Sequence, residues 1–459
     1  MLPNSLRRIV ISILVISAMS ALPAIGQITY DDMKLINPDA TENDWFGYSI
    51  AQDNGILAVG APGSVRIEIP YGPGSVYLFD ATTGDLLFRL TASDGEDKDW
   101  FGNSVAISNG IVAVGAMGDD DNGNRSGSAY LFDALTGEQL FKLLPTGGAD
   151  IEQFGSAIAI ENNTVLVGSS NDSPFGRYAG TVFVFNATTG EQIRRIIPEN
   201  DGGTNNDFGH SVDVHNGIAV VGDRYYDISS VLFDVGSVRI INVATGEQLF
   251  KLVSIDALSN DYFGISVAID DGIVVVGCPG HINQNPGAAY VYDATTGALL
   301  HKLVDKHAGE DYEFGSSVDI KNGLIVVGSK TDGEIAPLGS AFVFNAKTGE
   351  QIAKLLPSDS DVFDWFGYSA LIDSAGKIVV GAHLNSNGSN QSSGAAYTFT
   401  TPNLCSADFN GDFQYNFFDV SLFVTAYSNN DPIADFDDNG MFNFFDIAGF
   451  LAVFNAGCP

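Results

Sequence analysis

The chain is short of positive charge and of sulfur, and each shortage excludes something. It carries 21 Lys and Arg against 56 Asp and Glu, a formal charge of −35. That balance repels nucleic acid and anionic membranes, and it favours solubility and divalent cations. The acids are spread along the chain, so a solubilised surface is the plainest reading. Three cysteines are too few for a disulfide-built scaffold. The six histidines (His210, His215, His281, His301, His307 and His383) show no metal-ligand spacing. Neither a Gly-rich phosphate loop nor a nucleophile elbow is found. Long apolar runs are missing after the first segment, which argues against a membrane span.

That first segment reads as a processing signal. Arg7 and Arg8 precede an apolar run over residues 9–19, and Ala24-Ile25-Gly26 offers small residues at −3 and −1. This order predicts a secretory signal peptide over 1–26, cleaved before Gln27. No Asp or Glu precedes Asp31, so losing the two arginines takes the charge from −35 to −37. In an oxidising compartment three cysteines suggest one pair and one leftover. Cys405 and Cys458 bracket the last segment and form the expected disulfide. Cys278 stands where sister repeats place Ala61, Ala116, Ser169 and Ala382, as a small buried thiol would.

What the chain has in abundance is repetition, with 52 glycines and 31 phenylalanines. Phe-Gly pairs fall at Phe46, Phe101, Phe154, Phe208, Phe263, Phe314 and Phe366, a period near 53 residues. Each unit reads as four short antiparallel strands, a to d, in meander order. Asn-Gly or Asp-Gly turns at Asn54, Asn109, Asn216, Asp271 and Asn322 suit two-residue type I′ a–b hairpins. One such sheet cannot bury both its faces, but seven stacked face to face can. The chain begins with a lone d-like strand near Met33, and its seventh unit stops after strand c. The expected fold is therefore an all-β seven-bladed propeller over 27–401, with the N-terminal strand closing the last blade and removing exposed edges.

Strand alternation places the short a–b and c–d turns on one face and the long b–c and d–a loops on the other. The long-loop face is the expected place for a protein or glycan ligand. A carboxylate precedes most Phe-Gly pairs: Asp44, Asp99, Glu152, Asp207, Asp261 and Asp364. Its repetition favours a turn-capping role. The acidic loop 118–124 ("GDDDNGN") reads as solvated, with a cation site as the second reading.

The units resemble FG-GAP repeats, the building block of integrin α-type propellers and many bacterial surface proteins. "FGYSIAQDNGILAVGAPG" at 46–63 carries the resemblance, with "VGCPG" at 276–280 close behind. The resemblance implies fold rather than function. Many such proteins hold calcium in an a–b loop, but here those positions are two-residue turns, without room for six oxygen ligands.

After Pro402 the pattern changes. Two 12-residue loops start at Asp408 and Asp435, 27 residues apart. The first offers Asp408, Asn410, Asp412, Asn416 and Asp419, plus the Gln414 carbonyl. The second offers Asp435, Asp437, Asn439, Asn443 and Asp446, plus the Met441 carbonyl. These spacings suit Ca²⁺. A helix follows each loop, with stripes at Val420, Phe423, Val424, Tyr427 and at Ile447, Phe450, Leu451, Phe454 expected to pack on one another. Residues 402–459 resemble a dockerin of the cysteine-flanked, Gly-Cys-ending type. The resemblance implies a small α-helical calcium-loop module that anchors an exported bacterial protein. Phe413 replaces the usual Gly at position 6 of the first loop. The aromatic pairs Phe417-Phe418 and Phe444-Phe445 stand at the positions that recognise cohesins; we expect them to pack instead.

Together these readings predict a secreted or cell-surface binding and adhesion protein, tethered through a cohesin-like or cell-envelope partner. The alternative is an exported propeller enzyme: a glycoside hydrolase or lyase, or a quinoprotein-like oxidoreductase. The first would need two carboxylates at a defined separation. The second uses a docking Trp in nearly every blade, and this chain has only Trp45, Trp100 and Trp365.

Overall fold

A computed structural model describes residues 27–63, 72–146, 152–174, 178–198, 206–280, 286–305, 313–332, 338–359, 361–387, 390–400, 407, 409, 417–429, 431, 434–436 and 441–456. The expected signal peptide and both cysteines of the expected disulfide lie outside them. The chain divides into Ile28–Thr401 and a C-terminal segment, Pro402–Pro459.

The first unit holds seven sheets, each a meander of the kind its turns require. Blade 1 runs Ser49–Asp53 (a), Ile56–Ala61 (b), Ser75–Asp80 (c) and Leu86–Leu90 (d), hydrogen-bonded in that order. Blades 2 to 6 start their a strands at Ser104, Phe154, Phe208, Val267 and Phe314 and repeat the order. In the last sheet Ser369–Ile372, Lys377–Ala382 and Ala395–Thr400 are joined by Met33–Leu35, whose Met33 lies opposite Thr398. A short strand that the sequence did not announce, Gln27–Tyr30, adds a fifth member beside the d strand of blade 6.

Local chemistry explains the turns. Asn54, Asn109, Asn216, Asp271 and Asn322 all have positive φ, as do the glycines that follow them, matching type I′ geometry. At the end of strand c, Asp80, Asp133, Asn186, Asn242, Asp293 and Asn345 each accept N–H bonds from the turn they open. These donors hold the Asp80 and Asp133 carboxyls below their ordinary value, and at Asp293 the Thr295 hydroxyl leads the same effect. The seventh c strand ends at Thr400.

The core lies between blades. All seven Phe-Gly phenylalanines are fully buried. In six blades the ring meets two c-strand aromatics, as Phe101 meets Tyr130 and Phe132 at 5.5 and 5.7 Å, edge to face. Each glycine that opens a c strand bridges the next blade's Phe, from Gly74–Phe101 round to Gly394–Phe46. Gly74 shows why: its φ is +92°, and an added Cβ would stand 2.2 Å from the Phe101 carbonyl oxygen. Cys278 is buried, with its thiol pushed well up by burial.

A motif missed in the sequence orders the outer strands. A d-strand cation lies over a c-strand ring and pairs with a loop aspartate: Arg89 on Tyr77 with Asp39, Lys142 on Tyr130 with Asp94, Lys302 on Tyr290 with Asp256. Arg195 and Lys354 do the same on Phe183 and Phe342. In blade 7 Lys34 takes this role, 2.7 Å from Asp359 and over Tyr397. The acidic loop 118–124 therefore reads differently from expected. Asp119 is buried, and Lys142 Nζ lies 3.0 Å from it and 2.5 Å from Asp121. That loop is an ion-paired anchor.

In the C-terminal segment the helices are Phe417–Ser428 (α1) and Phe444–Ala456 (α2). Phe423 and Phe450 stack at 4.0 Å and 2°, and Phe409 stacks on Phe436 at 6.2 Å. The stripes thus meet, but only in part: Val424 and Leu451 are 54% and 44% exposed. A further expectation fails here. Phe417, Phe418, Phe444 and Phe445 are 67–76% exposed, because the first helical turn carries them away from the Phe423–Phe450 centre. Among the described residues, no helix is long and apolar enough to cross a membrane.

Candidate functional site: the channel mouth

The residue after each Phe-Gly pair ends up at one place. Tyr48, Asn103, Ser156, His210, Ile265, Ser316 and Tyr368 all line a cavity of about 650 Å³ at one end of the central channel. The residue before each pair is left-handed in all seven blades, with φ of 50–58°, which sharply turns the d–a loop into strand a. Four of the expected capping carboxylates cap this loop: Asp44, Asp99, Asp261 and Asp364 accept N–H bonds of 2.7–2.8 Å from residues three positions earlier. Burial pushes Asp99 up to about 6.

Below the mouth, serines stitch the ring. Ser49, Ser104, Ser211 and Ser317 donate at 2.7–2.9 Å to the Phe-Gly carbonyl of the following blade, and Ser369 donates to Gly47 of blade 1 at 2.8 Å. The lining serines are therefore already engaged, and the distinctive chemistry lies elsewhere.

Two sectors of the mouth depart from the repeat. Where blades 7 and 1 meet, Trp45 stacks with Tyr48 (5.9 Å, 9°) and Trp365 with Tyr368 (6.2 Å, 14°). His383 stands between them, 4.1 Å from Tyr368 and 5.6 Å from Trp45, centroid to centroid. It is 2% exposed, its Nδ1 has no hydrogen-bond partner, and burial drives its pKa down to about 3. Lys330 lies over the Trp365 ring at 5.3 Å and pairs with Glu313 at 2.8 Å. Across the ring, Arg224 pairs with Asp207 at 3.0 Å, approaches His210 Nε2 at 3.4 Å and covers Tyr225. Tyr225 and Tyr262 meet edge to face at 5.6 Å. Burial holds Asp207 up at about 6 and His210 well below its ordinary value, so that imidazole is neutral.

The other end of the channel is polar but paired. His215 Nε2 lies 3.3 Å from Asp271, and its Nδ1 lies 3.7 Å from Asp270, a grouping that could hold a metal. Asp270, however, binds Lys321 at 2.6 Å and the Asn322 N–H at 2.9 Å. Asp213 and Asp319 accept the N–H groups of Ile269 and Ile372 in the next blade at 2.7 and 2.8 Å. Burial raises them to about 6 and about 7.

Of the expected calcium ligands, Asp408, Asn410, Asp412, Gln414, Asn416, Asp437 and Asn439 lie outside the described residues. The remainder fit a closed loop. Asp419 accepts the Phe409 N–H at 3.0 Å and Asp446 accepts the Phe436 N–H at 2.9 Å, both carboxylates being fully buried. Position 12 thus returns to position 2 in each loop. Asn443 caps α2 through Phe445 N–H, and Asp446 returns to Asn443 N–H at 2.7 Å, a reciprocal capping box. The Met441 carbonyl, the expected position-7 ligand of the second loop, accepts from the Asn443 side-chain amide at 2.9 Å.

The FG-GAP repeat family matches residues 30–79, 87–132, 138–185, 247–292 and 350–399. These spans make up more than half of the chain, which belongs to that family. Blades 4 and 6 carry the two Phe-Gly pairs outside the matched spans, yet Phe208 and Phe314 occupy the same buried place. No curated protein matches the chain.

Proposed function

We propose that this is an exported, non-catalytic binding protein of a bacterial cell surface, whose long-loop face holds a ligand at the channel mouth. One observation carries the reading: the mouth is the place where the seven blades stop resembling one another. There the blades line the cavity with Tyr, His and Arg as well as Ser. The charged groups at the mouth are engaged in pairs, Arg224 with Asp207 and Lys330 with Glu313. A general base or nucleophile would need such a group at the cavity with its proton free to move. Capture of envelope components by the full-length mature protein, with turnover assays on polysaccharides and alcohols alongside, tests this. Saturable capture without turnover is expected; turnover would overturn it.

Two structural readings belong with it. The strand Met33–Leu35 closes the ring; Lys34 supports this by supplying the cation that d strands supply in other blades. The C-terminal segment is a dockerin-like calcium module that tethers the propeller. Its support is the pair of like-closed acidic loops and the four exposed phenylalanines, a duplicated apolar surface beside each loop. Calcium supplies charge neutralisation and fixed loop geometry there. Calorimetry should find up to two calcium ions, with Asp435→Ala removing one. Unchanged folding and no heat on adding calcium would overturn the module.

A further inference from the structure

The chemistry of the mouth narrows what it can hold. The cavity of about 650 Å³ is within the range of pockets that enclose small ligands or chain ends. Among the described residues, its charged lining groups are Arg224, Lys330 and Glu313. Each cation has a carboxylate within 3.0 Å, Asp207 for Arg224 and Glu313 for Lys330. His210 and His383 are neutral, since burial lowers both. In a chain of formal charge −35, the mouth is thus locally balanced. A cationic ligand would have to compete with Arg224 or Lys330 for a carboxylate. An anionic one would have to displace Asp207 or Glu313 against the field of the whole protein.

The uncharged surface is aromatic on two opposed sides. The junction of blades 4 and 5 stands across the ring from the 7–1 junction, so Tyr225 and Tyr262 face the sector of Tyr48 and Tyr368. Tyr48 and Tyr368 lie 5.0 Å apart and tilted by 44°. No other blade carries an aromatic both before and after its Phe-Gly pair: the equivalents are Trp100/Asn103, Gln153/Ser156, Asp207/His210, Tyr262/Ile265 and Glu313/Ser316. Aromatic faces take up the C–H faces of a pyranose ring, and phenol, imidazole and paired guanidinium groups can exchange hydrogen bonds with its hydroxyls. A peptide of ordinary composition would instead need partners for each of its backbone N–H and C=O groups.

We propose that the channel mouth binds the end of an uncharged, hydroxyl-rich glycan chain, a proposal that rests on the binding reading above. Tryptophan emission is the readout, since Trp45 and Trp365 belong to the aromatic sector. The full-length mature protein is titrated with neutral hexasaccharides: β-1,4-glucan, β-1,3-glucan, α-1,4-glucan, β-1,4-mannan and β-1,4-linked N-acetylglucosamine. Polygalacturonate and polylysine serve as charged comparators. A saturable change with at least one neutral hexamer is expected, weakened roughly tenfold by Tyr225→Ala. Tyr368→Phe, which keeps the ring, should weaken it less, and unchanged thermal melting shows that both variants fold. No binding by any hexamer at about millimolar concentration, binding indifferent to both substitutions, or preference for a charged comparator overturns the proposal. Capture of an envelope protein without glycan binding overturns it while leaving the wider reading intact. Cleavage of a bound hexamer would do the reverse, supporting the site and overturning non-catalysis.

Discussion

Blade 4 offers a test of how the repeat is held together. Its c strand carries Arg239 where blade 1 has Tyr77, and its b strand ends in Asp223 where blade 1 has Ala61. The two side chains pair at 3.0 Å with 1% and 0% exposure. Arg239 also donates to Gln248 at 2.8 Å, and Asp223 accepts from Ser237 at 3.0 Å. Burial still raises the Asp223 carboxyl, although Arg239 opposes it, and its Oδ1 has no partner. Removing one partner from a buried pair leaves an uncompensated charge and costs about 3–5 kcal/mol. Replacing both by the Tyr and Ala that blades 1, 2 and 7 carry avoids that penalty and is neutral or stabilising by about 1–4 kcal/mol. Arg239→Tyr alone is therefore expected to destabilise strongly, and Arg239→Tyr with Asp223→Ala to recover wild-type stability or exceed it. Urea unfolding followed by tryptophan emission measures both. A double variant no more stable than the single one would refute the claim that the pair merely substitutes for the tyrosine–alanine packing of blades 1, 2 and 7.

The remaining expectations concern other departures from the repeat. Asp319 has a folded pKa near 7 against about 3.9 in an unfolded chain. The folded state then holds the extra proton between those values, so its contribution is fully present below pH 4 and is lost as pH rises through 7. Because His383 acts oppositely below 6.5, wild type should be compared with Asp319→Asn. Their stability difference should fall by a few kcal/mol from about pH 4 to pH 7.5, at about 1.4 kcal/mol for each pH unit between the folded and unfolded values. A flat difference would contradict the assignment. Lys34→Met should lower the melting temperature, since it leaves Asp359 beside Tyr397 without its cation; no change would argue against a closing role for that strand. Cys278→Ala should be nearly neutral by urea midpoint, within about 1.5 kcal/mol, because five sister blades hold Ala or Ser there (Ala61, Ala116, Ser169, Ser329 and Ala382).

Much of the ring was legible because its signals are local and repeated. Phe-Gly spacing, Asn-Gly turns and the missing seventh d strand each depend on a few adjacent residues. What escaped was chemistry between units. The d-strand cation precedes Leu or Ile every time (Lys34-Leu35, Arg89-Leu90, Lys142-Leu143, Arg195-Ile196, Lys302-Leu303, Lys354-Leu355), and that alignment could have revealed it. Its aspartate partner could not be found so, because it comes from d–a loops in some blades and b–c loops in others. The serine-to-glycine stitch was likewise hidden, since Ser beside a strand start looks generic until the next blade's carbonyl is placed. Helical periodicity identified α1 and α2 but overstated their buried stripe: two short helices packed at one aromatic centre leave Val424 and Leu451 outside it.

Repetition also decides where function can be sought. A side chain found in every blade, or in six of the seven, must satisfy a requirement that the blades share, so the buried Phe of each Phe-Gly pair and the d-strand cations belong to packing. A side chain confined to one or two blades answers to something that breaks the sevenfold pattern. Such sets among the described residues of the channel include Trp45, Tyr48, Trp365, Tyr368 and His383; His210 with Arg224; and Asp213 with Asp319. The last set is accounted for by backbone N–H groups of the next blade. The first two face each other across the mouth, and His383 keeps a buried nitrogen without a partner. Ring closure alone does not require this sector, since the serine stitch and the Phe46–Gly394 bridge already join blades 7 and 1. In the binding reading proposed above, this asymmetry is the feature that a ligand would meet.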